Sequence, residues 1–181
     1  MKKANYMKNN KGFSLVELAM LMALAAVLAG ISIPVLTSSM HSMQLISDVR
    51  GIATTMTYAK LSAVSQLTDY KLMFTLTGKE WELYKLKRGT VSDWELQQAK
   101  KGISGGVANS DIRFKQTSTS TPSSDFGYAS SGTITFNSQG TPVEGASIVY
   151  LTNNDQNWAI SVSIAGKIQV WKQNGTVWDA I

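Results

Sequence analysis

The chain has no cysteine and a single histidine, His41, among its 181 residues. Without thiols there is no disulfide framework and no cysteine-ligated metal. One histidine by itself completes neither a zinc site nor a Cys–His nucleophile pair. Glycine is frequent, yet the sequence contains neither a phosphate-binding loop nor a dinucleotide fingerprint. No catalytic constellation, metal site or cofactor site is therefore expected. Charge is also scarce and unevenly placed. The 17 basic and 12 acidic groups give a formal +5, but Lys2, Lys3, Lys8 and Lys11 all precede residue 13 with no acid among them. With those four set aside, 13 basic groups face 12 acidic ones. The alkaline balance belongs to the first few residues, which removes the general electrostatic argument for nucleic-acid binding.

What is present is a long apolar run. No charged residue occurs from Leu18 to Leu36, and the only interruptions are Ser32 and Pro34. About 20 helical residues at ~1.5 Å rise cover a hydrocarbon core of ~30 Å. The run is long enough to span a membrane, and the lysines before it predict a cytoplasmic N-terminus with the remainder outside the inner membrane. Ala23-Leu24-Ala25 offers a signal-peptidase site, but Glu17 argues against an ordinary signal peptide. A bare carboxylate at mid-membrane costs about 2.5–3.5 kcal/mol on insertion scales, and a signal peptide has no use for one. Ala19, Ala23, Ala26 and Gly30 recur at helical spacing, which permits close helix approach in lipid.

The stretch Lys11-Gly12-Phe13-Ser14-Leu15-Val16-Glu17 directly before this run resembles the type IV pilin and pseudopilin family. The resemblance implies a leader, residues 1–12, removed after Gly12 by a prepilin peptidase that then N-methylates Phe13. It implies a transmembrane and assembly helix over residues 13–36, in which Glu17 pairs with the free amine of a neighbouring subunit. It further implies a helix bend at Pro34, other pilins or pseudopilins as partners, and an inner-membrane assembly platform. The remaining residues 37–181 would form one periplasmic domain.

Within that domain, Leu45, Val49, Ile52, Met56, Ala59 and Ala63 form an amphipathic stripe that predicts a helix over 37–66. Lys71–Leu76 and Trp81–Leu86 read as a β-hairpin. Residues 87–111 read as extended, although Ser92 followed by Glu95 could cap a short helix. The Ser/Thr-rich 116–131 reads as a mobile surface loop. Thr133–Asn137, Ser147–Thr152, Trp158–Ile164 and Lys167–Lys172 read as strands. Asn153-Asn154-Asp155-Gln156 reads as a turn more readily than as a calcium site. The paired charges Lys100-Lys101 and Lys85-Lys87-Arg88 read as solvated surface, and Trp178, in a short tail, as the indole best placed to touch a partner. One long helix followed by strands, mainly β over 71–178, predicts an α+β fold with the helix on antiparallel sheet.

Ile134-Thr135-Phe136, followed four residues later by Gly140, resembles the I-x-F-x-x-x-G strand and turn of the minor pseudopilin H domain, found in type II secretion and in FimT-type minor pilins. That resemblance implies a structural subunit of a secretion pseudopilus or a pilus. The alternative is a DNA-binding minor pilin, since FimT-type proteins carry a C-terminal Gly-Arg-x-Arg motif. The matching residues here are Gly166-Lys167-Ile168-Gln169, which lose the bidentate guanidinium grip on phosphate. Lys167 and Lys172 are the remaining cations that could touch DNA.

Overall fold

The computed structural model describes residues 12, 14–75, 79–100, 111–116, 121–122, 131–153 and 155–181; the side chains at 31–38, 111–116 and 131 are not among them. Phe13, the lysine-bearing leader 1–11, and most of the Ser/Thr-rich stretch lie outside the described residues. The chain forms two compact units, residues 1–39 and 40–181.

A single helix, α1 (Leu15–Gln66), runs through both ranges of sequence, unbroken in assignment past position 34. It starts where Ser14 caps it. The Ser14 hydroxyl accepts from the Val16 amide at 3.4 Å, and the Ser14 carbonyl accepts from Leu18 at 3.1 Å. In the first unit every described helical side chain from Leu15 to Gly30 is exposed. Among the described residues no helix is long and apolar enough to cross a membrane.

In the second unit α1 buries the stripe foreseen from spacing: Leu45, Val49, Ile52, Met56, Ala59 and Ala63 are all fully buried. The helix ends in a left-handed residue, Leu67 (φ 51°), with the Thr68 amide bonded back to the Ala63 carbonyl at 3.3 Å. This is a Schellman closure, usually made with glycine.

Nine strands follow among the described residues: β1 (Tyr70–Thr75), β2 (Glu80–Leu86), β3 (Trp94–Lys100), β4 (Asp111–Gln116), β5 (Ser131–Phe136), β6 (Ser147–Thr152), β7 (Asn157–Val162), β8 (Ile168–Asn174) and β9 (Val177–Ala180). They form two antiparallel sheets, ordered β3-β2-β1-β5 and β4-β6-β7-β8-β9. Period-2 alternation sends Tyr70, Leu72 and Phe74 of β1, and Trp81 and Leu83 of β2, into the core. Ile134 and Phe136 join them from β5, and Val149, Leu151, Trp158, Ile160 and Val162 from the second sheet. All of these meet the α1 stripe in one cluster, so the domain is α+β with the helix covered by sheet. The second sheet has a covered outer face as well, where Ile148, Tyr150 and Ala159 pack with Trp171 and Trp178.

Several expectations need adjustment. Residues 94–100 are extended, as read from the sequence, and the alternative of a helix capped by Ser92 does not form, because β3 pairs along its length with β2. Gln116 and Ser131, assigned to one surface loop, are the ends of β4 and β5. Trp178 is not in a free tail. It lies in β9, half-buried, edge-on to Tyr150 with ring centroids 5.8 Å apart. Lys100 is not merely solvated, since it pairs with the buried carboxylate of Asp48 and so ties β3 to α1.

Candidate functional site

At the N-terminal end, Gly12 is exposed and nothing lies within 4 Å of the position where a Cβ would stand. Phe13 is outside the described residues. Glu17 is exposed in the first turn of α1, three residues after the cap Ser14. That is the acidic position of an S-x-x-E capping box, and the helix macrodipole favours a negative charge there. The Ser14–Glu17 spacing was visible in the sequence but was overshadowed by the apolar run. Towards the C-terminus of the helix, Met20, Leu21, Leu24 and Val27 lie beside Glu17 on one apolar face. A carboxylate flanked by apolar side chains is suited to pairing with a cation delivered by another apolar helix.

The second feature is a junction of two glycines. Gly140 follows β5 and Gly166 precedes β8, and both have positive φ, 76° and 74°. A Cβ on Gly166 would stand 2.1 Å from the Gly140 carbonyl oxygen, and one on Gly140 would meet Val64 and Lys60 of α1 at 3.0 and 3.2 Å. Lys60 Nζ donates to the Gly166 carbonyl at 2.9 Å. Two glycines singled out separately in the sequence therefore meet each other, and α1 clamps them. The turns around them are closed by their own bonds. Asn137 Oδ1 accepts from the Gln139 and Thr141 amides at 2.9 and 3.1 Å, and the Gly166 amide donates to the Ser163 carbonyl at 2.8 Å.

The cations considered for DNA are separated. Lys167 is exposed in the β7–β8 turn, whereas Lys172 lies five positions on, ~16 Å along an extended strand. Its ammonium sits 5.7 Å from the Trp158 ring. The indoles do not form an open stacking platform. Trp81 and Trp158 are in the core. Trp94 is covered by Lys71 at 4.2 Å. Trp171 donates to Ser161 Oγ at 2.8 Å. Asn153 is committed to its turn, with Oδ1 accepting from Asp155 and Gln156 at 3.1 and 2.7 Å. No group of three or more metal-ligating side chains gathers among the described residues.

Among the described residues, three groups titrate away from their ordinary values. Burial, reinforced by neighbouring Tyr58, pushes the Tyr70 phenol up. The hydrogen bond to Glu82, 2.7 Å long, raises Tyr84. The hydrogen bond to Asp93, at 2.9 Å, raises Lys87. Each of these shifts bears on the stability of the folded state at alkaline pH.

Comparison with known proteins places this geometry. The family described as type II transport protein GspH matches residues 48–166. Among solved structures, the type IV minor pilin FimU of Pseudomonas aeruginosa superposes with a TM-score of 0.54 at 19% identity, covering 76% of this chain and 94% of that one. The minor pseudopilin EpsH from the Type 2 Secretion System of Vibrio cholerae superposes with a TM-score of 0.52 at 9% identity, covering 70% and 95%. At such identities these two report the fold alone. A search of curated proteins gave no match.

Proposed function

Because the chain belongs to the GspH family of type II transport proteins, we propose that it is a minor pilin-like subunit that enters a filament through its N-terminal helix. The family consists of structural subunits that associate with other pilins or pseudopilins. In this reading residues 1–12 are a leader removed by a prepilin peptidase, and Phe13 becomes the N-methylated first residue. Residues 13–36 anchor the subunit in the inner membrane, and residues 37–181 stand in the periplasm until the assembly platform draws the subunit into a pseudopilus or pilus.

The observation that carries the reading is Glu17, an exposed carboxylate at the start of an uncharged helical run. Left alone in lipid it is costly. Paired with the amine on a neighbour's Phe13 it becomes an assembly contact. Secretion is the favoured service because the matched family is a type II transport family. The two cations that could touch DNA are apart, Lys167 in the β7–β8 turn and Lys172 within β8, so no observation favours the DNA-uptake alternative.

Intact-mass measurement of protein from the host membrane tests the processing step. Loss of residues 1–12 with one added methyl is the expected result, and cleavage near Ala25 would refute it. Gly12→Val should retain the leader and abolish assembly. Glu17→Ala should be processed normally but incorporated far less; normal incorporation would contradict the charge pairing.

A further inference from the structure

Where α1 ends, a cleft of about 540 Å³ opens between the helix and the first sheet. Residues 65–68 form one wall, and Lys85, Lys87, Arg88 and Glu95 line the other. The spacing of the two walls is fixed by hydrogen bonds. Thr68 Oγ1 donates to the Leu86 carbonyl at 3.0 Å, and the Leu86 amide donates to the Asp69 carbonyl at 2.9 Å. The turn after β2 is closed as firmly. The Lys87 amide donates to the Asp93 carbonyl at 2.9 Å, and the Thr90 amide to the Lys87 carbonyl at 3.2 Å.

The two walls differ in sign. On the strand side Lys87 is committed to Asp93 at 2.9 Å, whereas Lys85 and Arg88 form no ion pair among the described residues. Glu95 stands opposite Lys85 in the ladder without pairing with it. On the helix side α1 has no basic residue in its last turn. Its final carbonyls lie beyond reach of its own amides, and the macrodipole places partial negative charge there. Leu67 stands in the same wall, 76% exposed and held in a left-handed conformation. This combination selects a ligand. A nucleic-acid backbone would gain from Lys85 and Arg88 but would be repelled by Glu95 and the helix end, and duplex binding draws on about six or more phosphate contacts. A polypeptide segment bearing Asp or Glu suits both walls. Its carboxylate takes the Arg88 fork bidentately with Lys85 alongside, its backbone N–H groups meet the final carbonyls of α1, and a neighbouring apolar side chain covers Leu67.

We propose that this cleft docks a short acidic segment of a neighbouring pilin-like subunit, with Arg88 and Lys85 holding its carboxylate. The proposal rests on the assembly reading above and extends it. Helix pairing around Glu17 holds the subunit in the filament, and the cleft selects which neighbour stands beside its periplasmic domain. Exposed charge pairs contribute little by themselves, so the contact becomes effective once the helices are already tethered.

Photocrosslinking in host cells, on the full chain, tests both levels. p-Benzoylphenylalanine replaces Leu67 in one strain and Val16, on the N-terminal helix, in another, and crosslinked peptides are sequenced. The expected result is a subunit crosslink from each site, with an Asp or Glu within about three residues of the Leu67 attachment point. Arg88→Glu, at an exposed position, should lower the Leu67 yield by about fivefold or more and leave the Val16 yield unchanged. The double change Lys85→Gln and Arg88→Gln removes both charges without adding repulsion against Glu95, and it should lower the Leu67 yield as well. A subunit crosslink at Val16 with none at Leu67 overturns the cleft proposal and leaves assembly standing. So does a Leu67 peptide from a protein that is not a pilin-like subunit, a Leu67 peptide without a carboxylate, or a Leu67 yield that survives both variants. Failure at Val16 overturns the assembly reading and this proposal with it.

Discussion

The two ends of α1 obey opposite rules although they belong to one helix. From Leu15 to Gly30 the side chains are apolar almost all the way round, and the described ones are all exposed. From Leu45 to Ala63 the sequence is mixed, and one stripe is fully buried while its neighbours stay in solvent. The upper part has its partner within the chain, two sheets that cover a single face. The N-terminal part shows no such partner among the described residues, and in the proposed assembly its apolar surface would be met by lipid or by other helices. Hydrophobicity alone therefore does not report burial. Periodicity does, because a stripe records a partner on one side and uniform apolarity records a surrounding medium.

Substitution can break that contrast. Met56→Ala, in the buried stripe, should lower unfolding stability by about 2–5 kcal/mol. Leu24→Ala, apolar but exposed, should leave the denaturation midpoint of the domain within about 0.5 kcal/mol. Chemical denaturation of the purified protein compares them, and equal losses would erase the distinction. Next in size is Gly166→Ala. Its Cβ would collide with the Gly140 carbonyl, and its left-handed backbone is costly for alanine. A loss of about 2–3 kcal/mol is expected, with Lys60 released from its clamp on the turn.

Alkaline pH should act on the upper domain as well. Tyr70, Tyr84 and Lys87 all have folded values raised above their ordinary ones, so the folded state holds these protons more tightly than the unfolded chain. Their contribution is complete below pH of about 10 and is lost as pH rises through the folded values. Denaturation midpoints should fall as pH rises past about 10, and Tyr70→Phe should flatten the slope. The smallest effect concerns the end of the helix. Leu67→Gly relieves a left-handed leucine, and after the entropy that glycine adds to the unfolded chain it should stabilise the domain by about 0.5 kcal/mol.

Much of the fold was legible. The stripe, the β1–β2 hairpin and strand β6 stand where their periods put them, since a buried face repeats every 3.6 or 2 residues. The Asn153 and Gly166 turns were marked by their own chemistry. β9 was missed because four residues following Asn174-Gly175 are too few to display alternation. Trp178 was misplaced for the same reason. Lys100 was assigned to solvent because Asp48, its partner, lies 52 residues away and on another element. At the candidate site, Gly12 and Glu17 were proposed from the family resemblance of the N-terminal motif, whereas the capping relation between Ser14 and Glu17 gained meaning only when the helix start was known.

Local pattern by itself determined the N-terminal motif, the uncharged run after it, the buried face of α1 and the succession of strands. These depend on neighbours a few positions apart, and that range is where helical and strand periods operate. Tertiary structure alone decided that Gly140 and Gly166 meet under Lys60 and that Lys100 reaches Asp48. Each of those depends on strand register and on contacts between residues far apart in the chain, which no local period encodes.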